Sequence, residues 1–186
     1  METRRQRLAV LVSGRGSNLE ALAKSVRSGL LAPLAEIVVV ASNRPAAPAL
    51  VKARTLGLST LCLPSKGRER EDFDAELAER LAGYRPDWIA LAGYLRILSP
   101  VFVRRFPGRI VNVHPADTRQ HQGLHGYQWA FERGLAETKV TVHLVDEGLD
   151  TGRIVAQRAV DLRGAGSLEE VERRGLAVEH ALYPEA

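Results

Sequence analysis

The sequence predicts a three-layer α/β fold: a mostly parallel sheet between helices, completed by a C-terminal antiparallel hairpin and a closing helix. Three observations carry this reading. A continuous apolar run at residues 8–12 suits a strand buried on both faces of a parallel sheet, and residues 36–41 supply a second strand. Segments with helical spacing separate the strands, which gives a strand–helix alternation with right-handed crossovers. Beyond His114 the pattern changes to alternation in residues 139–145, as in an antiparallel strand.

Residues 8–12 form the first strand, followed at once by Ser13-Gly14-Arg15-Gly16-Ser17-Asn18. Leu19, Leu22, Ala23 and Val26 then repeat at helical spacing, and Ser17 with Glu20 fits a capping box. A strand, a glycine turn and a helix start leave free N–H groups at the positive helix end, which is a candidate phosphate site. An ordinary tight turn is the alternative. A dinucleotide fingerprint does not fit, because Leu19 occupies the third glycine position and Ser42-Asn43-Arg44 supplies no acidic ribose ligand.

The second strand spans residues 36–41, and a helix over 48–56 ends at Gly57. Residues 58–63 make a shorter third strand. The next helix carries Phe73, Leu77 and Leu81 and stops near Gly83; residues 87–92 form a fourth strand. In such sheets ligands sit beyond the carboxyl ends of the strands, here the loops after strands one, four and five.

The fifth strand, Ile110-Val111-Asn112-Val113-His114, ends at Pro115. Alternation places Asn112 and His114 on one face, an amide beside an imidazole. Such a pair can stabilise an oxyanion and move a proton, although polar couples at strand ends are more often structural. A polar loop over 115–124 and a helix over 125–133 follow. Val140, Val142 and Leu144 share one face of the next strand, predicted to be exposed on the other, with His143 on that exposed face. The acidic turn 146–152 leads to a strand over 154–160, so the two strands pair as a hairpin. Ser167 and Glu170 form a second capping box, and its helix turns Leu168, Val171, Gly175, Val178 and Leu182 to the core.

The chain has 186 residues, 45% hydrophobic and 26% charged, enough for a single domain over 1–186 with its own core. No apolar stretch is long enough for a membrane span, and residues 8–12 are too short for a signal peptide. The single cysteine, Cys62, excludes an internal disulfide and a multi-thiolate metal site, and reads as a small core residue. A cytoplasmic protein is the default. The net charge of +4 could suggest nucleic acid, but it comes without a long basic run or interleaved aromatics, and it suits small phosphate- or carboxylate-bearing substrates equally well.

Four motifs stand in one order: Ser13-Gly14-x-Gly16-Ser17-Asn18-Leu19, Ala92-Gly93-Tyr94-Leu95-Arg96-Ile97-Leu98, Asn112-Val113-His114-Pro115 and Asp146-Glu147-Gly148-Leu149-Asp150-Thr151-Gly152. Together they resemble the glycinamide ribonucleotide formyltransferases, a folate-dependent family of purine biosynthesis with a Rossmann-like sheet. The resemblance runs over residues 8–184. It implies direct formyl transfer from 10-formyltetrahydrofolate, as cosubstrate, to the amine of the ribonucleotide, with no metal. By that resemblance Asn112 is the oxyanion donor, His114 the general acid, and Asp150 the carboxylate that holds the imidazolium. Gly16, Ser17 and Asn18 hold the phosphate, and Glu179 contacts the same substrate. Leu95, Arg96, Ile97, Leu98, Asn112 and the backbone of Asp146, Glu147, Gly148, Leu149 and Asp150 line the pterin pocket, with Arg70 on the folate side. Residues 8–115 then form the phosphate-binding half, and residues 116–186 the folate-side loop, hairpin and closing helix. Partners are those two small molecules, without nucleic acid or membrane, in a monomer or homodimer.

Taken without the resemblance, Glu179 reads as a solvated helix residue and Arg70 as a surface arginine paired with a helix carboxylate. One departure stands out: after His-Pro the family commonly has Ser-Leu-Leu-Pro, whereas here Ala116-Asp117-Thr118-Arg119 follows. Gly123 keeps the position of the family's loop glycine. The chain also ends soon after Pro184, where many relatives continue, so it is either short or lacks a tail. Other formyl-folate enzymes, including a hydrolase, are the nearest alternatives. A metal site from Asp117, His121 and His125, and a non-catalytic phosphate-ligand binding module, are more remote ones.

Overall fold

The computed structural model describes residues 4–186. Five strands run parallel: β1 (Gln6–Val12), β2 (Ala35–Ser42), β3 (Thr60–Cys62), β4 (Trp88–Leu91) and β5 (Ile110–His114). β6 (Glu137–Leu144) and β7 (Ile154–Asp161) complete the sheet antiparallel, in the order β3-β2-β1-β4-β5-β6-β7. The helices are α1 (Ser17–Ser28), α2 (Pro48–Thr55), α3 (Arg70–Ala82), α4 (Pro100–Arg105), α5 (Gly126–Glu132) and α6 (Leu168–Glu185).

Strand alternation divides the core into two layers, one on each face of the sheet. Val10, Val12, Leu19, Leu22, Val140, Val142, Val171 and Leu182 pack on one face. Ala9, Leu11, Phe73, Leu77, Leu81, Ile89 and Phe102 pack on the other. The strand order reverses direction at β1, between β2 and β4, which opens a crevice beyond the strand ends. Tyr183 of α6 closes that region from the side: its hydroxyl donates to the carbonyls of Leu91 and Val111, both at 3.0 Å.

Several expectations need correction. Ser17 does not cap α1; Gly16 is the N-cap, in the left-handed region at φ 79°, and no side chain caps the helix. Glu20 is instead drawn to Lys52 Nζ at 2.5 Å. At Ser167 the serine half of the box forms, its hydroxyl accepting from the Glu170 N–H at 3.2 Å, while the Glu170 carboxylate reaches one residue further back, to the Gly166 N–H at 3.2 Å. Helix α4 has no counterpart in the expectations, because six residues give too short a period to read. Cys62 is exposed, since β3 is an edge strand. β6 is an internal strand, buried on both faces: Thr141 and His143 are as inaccessible as Val140 and Val142. The polar face expected to meet solvent is covered by the loop after β5 and the turn before β7.

Candidate active site

One cleft of about 1090 Å³ runs along the carboxyl ends of β1, β4 and β5. Its first end is the turn from β1 into α1. Gly16 cannot be replaced without strain: its φ is left-handed, and a Cβ there would lie 2.7 Å from Ala49 Cβ of α2. The Gly14 carbonyl accepts from the Ala49 N–H at 3.1 Å, so α2 pins the turn. Ser13 ties it to its neighbours. Its hydroxyl donates to Asn43 Oδ1 at 2.6 Å and accepts from the Leu95 N–H at 2.9 Å. Sequence reasoning gave Ser13 and Asn43 no such role; their position on three adjacent strand ends is a product of topology.

Glu179 lies on the buried stripe of α6 and is only 5% exposed, so it is not a solvated helix residue. Asn18 Nδ2 donates to Oε2 and Tyr127 OH to Oε1, each at 2.5 Å. The Tyr127 ring occupies the space left by the missing side chain of Gly175, one turn before Glu179. Burial pushes the Glu179 carboxyl above its ordinary value, and the bonds from Tyr127 and Asn18 oppose that shift. Asn18 Oδ1 is buried without a hydrogen-bond partner among the described residues. The first end of the cleft thus offers helix-end N–H groups for an anion, with a buried acceptor pair beyond them.

At the other end, Asn112 and His114 project from β5 into the cleft on one face, as alternation requires. The turn between β6 and β7 brings Asp150 over them. Its Oδ2 lies 3.4 Å from His114 Nδ1 and accepts from the Gly123 N–H at 2.8 Å. Its Oδ1 lies 3.4 Å from His143 Nε2. Burial raises the Asp150 carboxyl, but the neighbouring His143 ring, the Gly123 N–H and His114 outweigh it, so the net shift is downward. Asp150 stays ionised at neutral pH.

His143 is the group that sequence reasoning misplaced. It is 1% exposed and stands opposite Asn112 on β6. Its Nδ1 lies 2.9 Å from the Leu144 carbonyl, which favours a proton there and leaves Nε2 to accept from Asn112 Nδ2 at 3.2 Å. That bond fixes the amide's orientation and leaves its second N–H free. A signal was present, since Lys139, Thr141 and His143 share one face of β6. Alternation reports polarity, however, and does not say what covers a polar face.

His114 is 3% exposed and both its nitrogens face acceptors: Asp150 at Nδ1, and the His121 carbonyl at Nε2, 3.1 Å away. Only the doubly protonated ring satisfies both. Burial opposes that charge and holds the His114 pKa below 6.5, against the raising effects of Asp150 and the His121 carbonyl. With its pKa held below 6.5, the neutral ring is the favoured form at pH 7.

Leu95, Arg96, Ile97 and Leu98 line the cleft, as do Asp146, Gly148 and Leu149. Glu147 does not; it turns outward to Arg104, 2.7 Å away. The Arg96 guanidinium turns towards buried Asp74 at 3.8 Å and stacks over Phe73. Arg70 lies at the cleft edge, exposed, and pairs with no carboxylate among the described residues. Asp117, His121 and His125 do not converge: Asp117 faces Lys139, and His121 Nε2 faces the Leu124 carbonyl. No helix among the described residues is long and apolar enough to cross a membrane.

The formyl transferase family model matches residues 6–186. The phosphoribosylglycinamide formyltransferase of Escherichia coli is 36% identical over 178 residues, 95% of this chain and 83% of that protein. The trifunctional purine biosynthetic protein adenosine-3 of Drosophila melanogaster is 41% identical over 187 residues, but the chain spans only 14% of that much longer protein. Among solved structures, glycinamide ribonucleotide transformylase 1 of Symbiobacterium toebii superposes with a TM-score of 0.92 at 39% identity, covering 97% of this chain and 85% of that one. The chain belongs to the formyl transferase family and, within it, to the phosphoribosylglycinamide formyltransferases.

Proposed function

We propose that the chain moves the formyl group of 10-formyltetrahydrofolate to the amine of glycinamide ribonucleotide, a step of de novo purine biosynthesis. The observation that carries this reading is the sharing of one cleft by an anion-binding helix start and an Asn112–His114–Asp150 cluster. The ribonucleotide phosphate sits on the N–H groups of Gly16, Ser17 and Asn18. Its polar donors reach Glu179 and Asn18 Oδ1. The pterin lies along residues 95–98 and the 146–150 turn, with its glutamate carboxylate towards Arg70.

The substrate amine then attacks the formyl carbon, and the carbonyl electron pair moves onto oxygen. Asn112, its amide fixed by His143, donates the free N–H to that oxyanion, a contribution worth about 10² to 10³ in rate. Negative charge at that point also favours the His114 imidazolium, which the Asp150 carboxylate already supports. Collapse of the tetrahedral adduct breaks the bond from carbon to the folate nitrogen. The proton lost by the amine arrives at that leaving nitrogen, with His114 as donor. General acid action of this kind is worth about 10² to 10⁴.

The test is the ultraviolet change on loss of the formyl group, with and without glycinamide ribonucleotide. Turnover that requires the ribonucleotide supports the proposal. Equal turnover with water alone would make the protein a hydrolase.

A further inference from the structure

The loop over residues 115–124 leaves β5 after His114, and its first residues depart from the family pattern. Beneath it, His114 of β5, Thr141 of β6 and Gln157 of β7 stand opposite one another, so their side chains share a face. The loop is joined to that row. Thr141 Oγ1 donates to the Ala116 carbonyl at 2.7 Å and accepts from Gln157 Nε2 at 2.8 Å. Asp117 is 5% exposed. Its carboxylate accepts from Lys139 Nζ at 2.9 Å, the Arg119 N–H at 3.1 Å and Gln157 Nε2 at 3.2 Å.

The same residue organises the rest of the loop. The Asp117 carbonyl accepts from the N–H groups of Gln120 at 2.8 Å and His121 at 3.0 Å. His121 in turn places its carbonyl on His114 Nε2, and Gly123 places its N–H on Asp150. A continuous run of bonds therefore joins the Lys139–Asp117 ion pair to both members of the proton-handling pair.

We propose that Asp117 is a positioning residue: clamped by Lys139 and Gln157, it holds the loop closed over His114 and Asp150 and keeps water from them. The inference rests on the reading of His114 and Asp150 given above. A buried carboxylate that loses its partner is strongly destabilised, so the clamp acts as a unit. The titratable groups facing His114 are Asp150, His143 and His121, and the charged side chain facing Asp117 is Lys139. Burial is the largest influence on His114, so an open loop lets its titration return towards 6.5.

The experiment compares Asp117→Ala, Asp117→Asn and Gln157→Leu with the native chain, reading kcat, KM and the His114 imidazole titration by NMR in the ligand-free protein. Asp117→Ala should lower kcat by about tenfold to a hundredfold, as misplacement of reacting groups does. The KM for the ribonucleotide should hold, because the phosphate turn is untouched, and His114 should titrate closer to 6.5. Asp117→Asn keeps an oxygen for Gln157 and Arg119 and should lose less. Gln157→Leu lies on the edge strand, so it reports on the clamp even if Asp117→Ala does not fold. Native kcat and native His114 titration in these variants would overturn the proposal. If the native chain transfers no formyl group, the proposed reaction fails, and the NMR titration still decides whether Asp117 acts on His114.

Discussion

At the phosphate end of the cleft, position is set by backbone: a left-handed Gly16, an N–H of α2 on the Gly14 carbonyl, and a helix start. At the other end, side chains hold one another: Asp150 between two imidazoles, Asn112 on His143, and Gly123 on Asp150. Even the backbone there follows the side chains, since Asp150 adopts φ 52° without being glycine. That conformation costs about 1–2 kcal/mol for a non-glycine residue. The difference teaches where each end is vulnerable. A backbone site fails when steric room is lost, whereas a side-chain site fails when charge is altered.

The largest effect should follow from Asp150→Asn, which keeps the volume and removes the charge. His114 then loses the carboxylate that supports its protonated form. We expect kcat to fall about 10² to 10⁴-fold with KM nearly unchanged. Near-native turnover would break the proposed pairing with His114. Second comes His143→Leu, which removes the acceptor that orients Asn112 and a neighbour of Asp150. A fall in kcat of about 10 to 100-fold is expected. A change in KM alone would mean that His143 supports binding and not the oxyanion donor.

The contrast is sharpened by Gly16→Ala, a methyl group at the backbone end. Its left-handed φ costs about 1–2 kcal/mol, and the overlap with Ala49 adds about 1–3 kcal/mol. Thermal denaturation should show a Tm lower by roughly 2–4 °C per kcal/mol. KM for the ribonucleotide should rise while kcat at saturation is largely kept. A fall in kcat at constant KM would show that the two ends are not independent.

Much of the fold is legible in the sequence because the parallel strands are apolar on both faces and stand between periodic helices. Asn112 and His114 are legible for a related reason, since a two-residue period fixes their shared face. What is not legible depends on covering. His143 alternates as a surface residue would, yet a loop that carries no period lies over it. Glu179 falls on the same stripe of α6 as Val171, Gly175 and Leu182, so its burial was encoded. A charged residue on an apolar stripe reads as its edge until Tyr127 and Asn18, distant in sequence, supply the partners. Cys62 fails in the opposite sense: strand order, absent from local pattern, puts β3 at the edge.

Glu179→Gln tests the buried acceptor of the phosphate end with the smallest expected effect on the chemical step. Burial raises the folded-state pKa of Glu179 above 4.5. Such a group stabilises the fold fully below its unfolded pKa, and that stability is lost as pH rises through the folded value. At pH 7 an ionised Glu179 therefore costs stability that a neutral amide does not. The amide can also be satisfied: Tyr127 OH donates to its oxygen, and rotation of Asn18 turns the unpartnered Oδ1 towards its NH₂. The variant should melt a few degrees higher than the native chain at pH 7, roughly 2–4 °C per kcal/mol. That gain should disappear below pH 4.5, where the native carboxyl is protonated. KM for the ribonucleotide should rise because a charged acceptor makes the stronger bond. Equal melting temperatures at pH 7 would mean that the Asn18 and Tyr127 bonds already offset the burial of the charge.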